Sequence, residues 1–189
     1  MMCHALRLFS GQGIYVPPSV DFIPHLYTPL YPTLVALIGK LQGDVTYFAA
    51  RLLSLLSFLG ALSVGLLWVR RESGSLAVAL CAMAIPAATF AETGGFFDLA
   101  RSDSLQLGLS VLGAYLTYTA EGKLGQTVLA GILLTLAFFA KQTAAPLCVA
   151  TVLPLLLWDR RRAILIGGIG VIGFAVGALA LSEVAPDGA

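Results

Sequence analysis

The chain has 189 residues, of which 58% are hydrophobic and 11% charged; eleven basic and ten acidic side chains leave a net charge of +1. Soluble domains run at roughly 45–50% apolar and about 25% charged, so these few charges cannot cover a globule of this size in water. With a mean hydropathy of +0.90, a soluble enzyme and a disordered tail are excluded, and the lack of a basic patch excludes a nucleic-acid partner. The composition is that of an integral membrane protein, with membrane lipid as its surroundings.

The first 46 residues differ in kind from the rest. Met1 to Arg7 is too short and too mixed for the apolar region of a signal peptide. Residues 11–32 read GQGIYVPPSVDFIPHLYTPLYP and hold five of the nine prolines, interleaved with Tyr15, Phe22, Tyr27 and Tyr31. Prolines this dense exclude a spanning helix and favour extended or turn structure, and amphipathic rings suit a headgroup interface. Thr33 to Leu41 is apolar but short, and is expected to form a helix lying in the interface. Residues 1–46 therefore read as an extracytoplasmic loop with an interfacial helix, and 47–189 as a transmembrane bundle.

A membrane helix needs about 20 apolar residues. Five candidates follow: Tyr47 to Val69, Ser75 to Ala91 with Pro86 inside, Ser104 to Ala120, Leu124 to Ala140 and Ala163 to Ser182. Thr143 to Trp158 is short and holds Pro146 and Pro154, but parity counts it as a sixth span. Prolines are tolerated where neighbouring helices satisfy the freed carbonyls. The expected fold is thus all-α, a polytopic transmembrane helix bundle of about six spans. Gly173 and Gly177 in the last span form a small-xxx-small pair, sharing a face with Gly170; packing inside the bundle is the expected use, ahead of a dimer interface. Cys3, Cys81 and Cys148 lack metal-ligand spacing, and no disulfide framework is expected.

Lysine and arginine in short loops set orientation. If Arg70 and Arg71 are cytoplasmic, alternation places Lys123 and Arg160 to Arg162 on the same side. The opposite face receives seven of the ten acids: Asp21, Asp44, Glu92, Asp98, Asp103, Glu183 and Asp187. Arg51 and Lys141 also fall near that face, against the rule, and each needs a reason.

Two segments can carry chemistry. FAETGGFFDLARSDSLQLGL, residues 90–109, sets Glu92, Asp98, Arg101 and Asp103 between apolar helices. Asp98 and Arg101 are three apart and can pair on a helix, which would leave Asp103 free to face a substrate or a metal. The structural alternative is that Asp103 with Gln106 makes a capping box and Arg101 snorkels. In FFAKQTAAP, residues 138–146, Lys141 leaves a wholly apolar helix. It can hold a phosphate at headgroup level or be a snorkelling interfacial lysine.

Taken together, these residues resemble the GT-C superfamily of membrane glycosyltransferases, near its protein-mannosyltransferase-like and lipid-A-modifying members. GQGIYVPPSVDFIPHLYTPLYP is similar to the first extracytoplasmic loop, and ARLLSLLSFLGALSVGLLWVRR (50–71) to the next span. FFDLARSDSL (96–105) is similar to an Ala-Arg-x-Asp-x-Leu segment, and LAFFAKQTAAP (136–146) to an apolar-Lys segment. The resemblance implies transfer of a sugar from a polyprenyl-phosphate-linked donor to an acceptor on the extracytoplasmic face of a bacterial inner membrane. It implies Asp103 and Asp98 as catalytic second-loop acids and Arg101, Lys141, Glu92, Tyr27 and Tyr31 as substrate-binding residues. No metal site is expected from spacing, although a divalent metal is used by some members.

The family's first span and acidic motif precede the segment matching His4 to Tyr15. Asp21, the only acid in the first 43 residues, does not match that motif. The expectation is therefore a partial enzyme, inactive as it stands for want of the first acid. The alternative is a structural or transport-associated membrane subunit without catalysis. Transport would favour ionisable groups at mid-span, and none stands near the centre of any span from 52 to 182.

Overall fold

The computed structural model describes all residues except 21, 90, 91, 93, 96, 97 and 185–189, together with the side chains of 182–184. The first helix, α1 (Met2–Phe9), is followed by an irregular strap up to Pro29, in which Ser19 and Phe22 make an isolated bridge. Helix α2 (Leu30–Gln42) starts immediately after Pro29 and contains Pro32. Pro32 is harmless there, because the first turn of a helix has unpartnered N–H groups in any case. The helix expected over 33–41 thus forms, three residues longer at its start.

Helix α3 (Tyr47–Ser73) is capped by Thr46, whose side chain accepts from the Ala49 N–H, and ends at Gly74. Gly43 after α2 and Gly74 after α3 take φ of 88° and 68°, left-handed values that glycine adopts without Cβ strain. Then follow α4 (Leu76–Ala88), α5 (Asp103–Thr119) and α6 (Leu124–Ala140). A 3-10 turn (Gln142–Ala144), α7 (Ala145–Val152) and α8 (Leu155–Trp158) lead into α9 (Arg160–Val184). The architecture is all-helical, with no strand among the described residues.

Two helices, Tyr47–Ser73 and Arg160–Leu181, are long and apolar enough to cross a membrane; Leu76–Ala88, Leu124–Ala140 and Gln142–Trp158 are apolar but shorter. The expected fourfold remainder of spans therefore forms as helices that fall below the roughly 20 residues of a full crossing. Within 143–158 the regular helical bonding lapses between α7 and α8 at Leu153 and Pro154, which keep helical dihedrals, because proline cannot donate to the preceding turn. Large apolar side chains face outward, among them Leu56, Val171, Ile172 and Leu179 at 58–71% exposure. That much apolar surface is unsuited to water and suited to lipid.

Helix α5 is central, packed on α3 to one side and α6 to the other, with α4 beyond α3 and α9 beyond α6. Small residues set the closest approaches. A Cβ at Gly108 would stand 2.8 Å from the Ser57 carbonyl oxygen of α3. On α9, a Cβ at Gly173 would meet Thr135, and one at Gly177 the Phe139 ring, both on α6. The pair in α9 is thus used within the bundle. Gly170, expected on the same packed face, has open space instead.

The two ends of the bundle differ. At one, Arg71 pairs with Glu121 at 2.5 Å, Arg162 pairs with Asp159 at 2.5 Å, and Arg162 also donates to the Thr117 carbonyl. At the other, α1 and α2 share an apolar cluster with α3, α5 and α6 through Ala5, Tyr31, Val35, Ala50, Leu105 and Ala140. That shared cluster sets the proline-rich strap on the rim where the second polar group gathers.

Candidate functional site

Helix α6 stops because Lys141 is extended (φ −161°, ψ 127°), which leaves carbonyls of the last turn without helical partners. The strap supplies one: Thr28 Oγ1 donates to the Phe138 carbonyl at 2.9 Å. Gln142 Nε2 donates back to the Leu26 carbonyl at 3.3 Å. Tyr15 Oη donates to the Tyr27 carbonyl at 2.6 Å. These bonds hold the Tyr27 ring against Lys141, whose Nζ lies 5.6 Å from the ring centroid, within cation–π range.

Lys141 Nζ donates to Asp103 Oδ1 at 2.6 Å, and Arg101 Nε to Asp103 Oδ2 at 3.3 Å. One carboxylate therefore bridges two cations. The lysine side chain is only 15% exposed, against 36% for Asp103 and 43% for Arg101. Burial pushes the Asp103 pKa up, but the hydrogen bond and charge of Lys141, with the charge of Arg101, outweigh it and hold the group below the usual carboxylate range. Asp103 is thus ionised at neutral pH, and the trio keeps one net positive charge.

The loop bearing Arg101 is fixed from α3. Buried Ser54 donates to the Arg101 carbonyl at 3.0 Å. Its Oγ also lies 3.0 Å from the Tyr31 hydroxyl, which donates to the Ala50 carbonyl. Arg51 pairs with the Asp98 carboxylate and donates from Nε to the Asp98 carbonyl at 3.2 Å.

Several expectations change here. Asp98 pairs with Arg51 rather than with Arg101, because residues 98–102 are turns and bends, without the helical i,i+3 register. Asp103 is not free: both its oxygens meet cations. The capping box is absent too, since Ser102 is the cap residue without a side-chain bond and Gln106 reaches Ser110 instead. Tyr31 is 1% exposed, and its hydroxyl ties α2 to α3 beside the Ser54 that holds the Arg101 loop. Glu92 is exposed, and no contact among the described residues joins it to the cluster. Asp21 and Asp187, with the Glu183 side chain, lie outside the described residues. The two cations expected near that face against the rule are both paired, Lys141 with Asp103 and Arg51 with Asp98.

Sequence reading missed the histidines. His4 and His25 lie tilted against each other with ring centroids 4.5 Å apart, and Tyr15 and Tyr27 each lie 6.0 Å from His25. Burial lowers the His25 pKa to about 4, helped by the neighbouring His4 and amino terminus and opposed by the Thr28 carbonyl. The His4 pKa is lowered too, chiefly by burial. Twenty-one positions separate the pair, so only the returning strap could reveal it.

Among the described residues, no three of His, Cys, Asp and Glu converge as metal ligands. Of the acids near the cluster, Asp98 and Asp103 are each paired with a cation.

A family model described as dolichyl-phosphate-mannose-protein mannosyltransferase matches residues 26–187. No curated protein and no solved structure matches the chain. The family match spans most of the length, and the chain belongs to that family of GT-C-type membrane glycosyltransferases.

Proposed function

From membership of that family, we propose that this chain carries the lipid-phosphate site of a glycosyltransferase, which moves a sugar from a polyprenyl-phosphate-linked donor to an acceptor on the extracytoplasmic face. The observation that supports it most is the convergence of Lys141 and Arg101 on Asp103, from two segments 38 residues apart. Asp103 orients the two cations, and the donor phosphate docks on them. As the bond from the sugar C1 to the phosphate oxygen breaks, negative charge grows on that oxygen. Fixed cations in a half-buried site stabilise such charge better than water does. Asp103, held ionised, is a positioning group rather than a proton donor.

The lipid tail needs an apolar path from that rim. A groove of about 400 Å³ begins at Phe138 and Ala145, close to Lys141, and runs between α6, α7 and α9 to Leu156 and Ala163 at the other end. It is almost wholly apolar. We place the tail there. In this reading the shorter helices also cross the bilayer, with Arg70, Arg71, Lys123 and Arg160 to Arg162 on the cytoplasmic side.

The test measures binding of dolichyl phosphate to the purified chain in micelles. Lys141→Ala and Arg101→Ala should each weaken it about tenfold or more while helix content is kept. Unchanged binding in both variants overturns the phosphate site. In a chain with mannosyl transfer activity, Asp103→Asn should lower the transfer rate, and an unaltered rate overturns its positioning role.

A further inference from the structure

Helix α3 grips the Arg101 loop at two points about one turn apart: Arg51 holds Asp98, and Ser54 holds the Arg101 carbonyl at 3.0 Å. The two grips are unlike. The Arg51 pair is exposed, and an exposed pair contributes little. Ser54 is fully buried, and its hydroxyl continues to a second buried hydroxyl, that of Tyr31 on α2, at 3.0 Å. Tyr31 Oη in turn lies 2.9 Å from the Ala50 carbonyl.

A hydrogen count gives this chain a direction. Two hydroxyls carry two hydrogens, and the short contacts are those to Ala50, between the hydroxyls, and to Arg101. One hydrogen is therefore shared, as is common in proteins. The Ala50 carbonyl already takes the Ser54 N–H within α3, so it is the acceptor that gives up least by sharing. The Tyr31 hydrogen divides between that carbonyl and Ser54 Oγ, and the Ser54 hydrogen goes to the Arg101 carbonyl. Hydrogen bonds in series polarise one another where water is excluded.

The chain ends at a peptide that no helix fixes, since residues 98–102 are turns and bends. Ala100 and Leu105, on either side of it, pack in the apolar cluster that holds Tyr31 and Ala50. Apolar packing places the loop but does not orient a peptide; the hydroxyls do. With its carbonyl tied to Ser54, Arg101 reaches Asp103 Oδ2 from Nε at 3.3 Å.

We infer that Ser54 and Tyr31 are positioning residues for Arg101: a hydroxyl relay from α2 through α3 sets where its guanidinium stands in the cluster with Asp103 and Lys141. The use of that cluster for a lipid phosphate rests on the reading proposed above; the positioning itself does not.

Two readouts on the whole chain in micelles test the relay: the titration of the Asp103 carboxyl by carbon NMR, and the binding of dolichyl phosphate. The charge of Arg101 helps to hold the Asp103 pKa down. Ser54→Ala should therefore raise that pKa, as Arg101→Ala does, and weaken lipid binding about three- to tenfold, the scale of one hydrogen bond. Tyr31→Phe, which keeps the ring in the core, should act in the same direction to a smaller extent. Ser54→Thr, which keeps the hydroxyl, should stay close to the wild type in both. In an Arg101→Ala background Ser54→Ala should move neither readout further, because the group it places is gone; in a Lys141→Ala background it should still move the titration. A change that merely loosened the bundle would act in both backgrounds. Should Ser54→Ala not fold, Tyr31→Phe carries the same comparison. The relay is overturned if the folded variant leaves the Asp103 titration at its wild-type position, or if its effect persists undiminished without Arg101. Failure of the phosphate reading looks different: Arg101→Ala then leaves lipid binding unchanged, while the titration still follows Ser54.

Discussion

Replacing Lys141 by methionine keeps an unbranched side chain one atom shorter and removes its charge. Asp103 then retains only Arg101, at 3.3 Å and on the more exposed side. Breaking a fully buried ion pair from one side costs about 3–5 kcal/mol, whereas an exposed pair contributes about 0–1 kcal/mol. Here the lysine side chain is 15% exposed and the aspartate 36%, between those limits and nearer the exposed one for the partner left behind. The expected loss is about 1–2 kcal/mol by interpolation between them. Asp103→Asn should cost a similar amount, because it strands a lysine that is mostly buried. The double variant strands neither, so it should cost less than the sum, with a coupling of about 1 kcal/mol. The assay is chemical denaturation of the four proteins in mixed micelles. The pair is stabilising at neutral pH, and the coupling should vanish as acid protonates Asp103, below the usual carboxylate range because its folded pKa is lowered. Costs that simply add within about 0.3–0.5 kcal/mol would refute the reasoning that the carboxylate binds the two segments together.

Two further outcomes follow from the same contacts. His25 is 4% exposed and its folded pKa is lowered to about 4, so the unfolded strap binds a proton that the folded one refuses. Neutral in both states above about pH 6.5, His25 costs stability as pH drops toward 4, by at most about 3 kcal/mol; hydrogen exchange in the strap should accelerate over that window in the wild type and less in a His25→Gln variant, where His4 alone is left to resist protonation. On α5, Gly108→Ala should destabilise by about 1–3 kcal/mol, as overpacking does, because its Cβ meets a backbone carbonyl of α3 that cannot turn aside. Gly60→Ala on α3 faces open space and should be neutral or slightly stabilising in the same denaturation experiment.

Composition and apolar run length determined the class of this protein, because a chain with so few charges has no way to dress itself for water. The same runs located α3, α5, α6 and α9 to within a few residues, since continuous apolar stretches bounded by arginine, glycine or turn residues leave the backbone little choice but helix. Lys141 and Arg51 were visible as misplaced charges, and Asp103 as one of four charged groups crowded between apolar helices, for a related reason: ionised groups beside lipid are costly and stand out. What the linear order could not decide was partnership. Asp98 lay three residues from Arg101 yet found Arg51, because the loop does not hold helical register; Asp103, a cap by pattern, became the bridge between Arg101 and Lys141. The His4–His25 contact likewise depended on the strap folding back, and the buried Tyr31 hydroxyl on the packing of α2 against α3. Such contacts arise from where three helices converge, and that is a property of packing, set by small residues such as Gly108 and by carbonyls left open at a helix end.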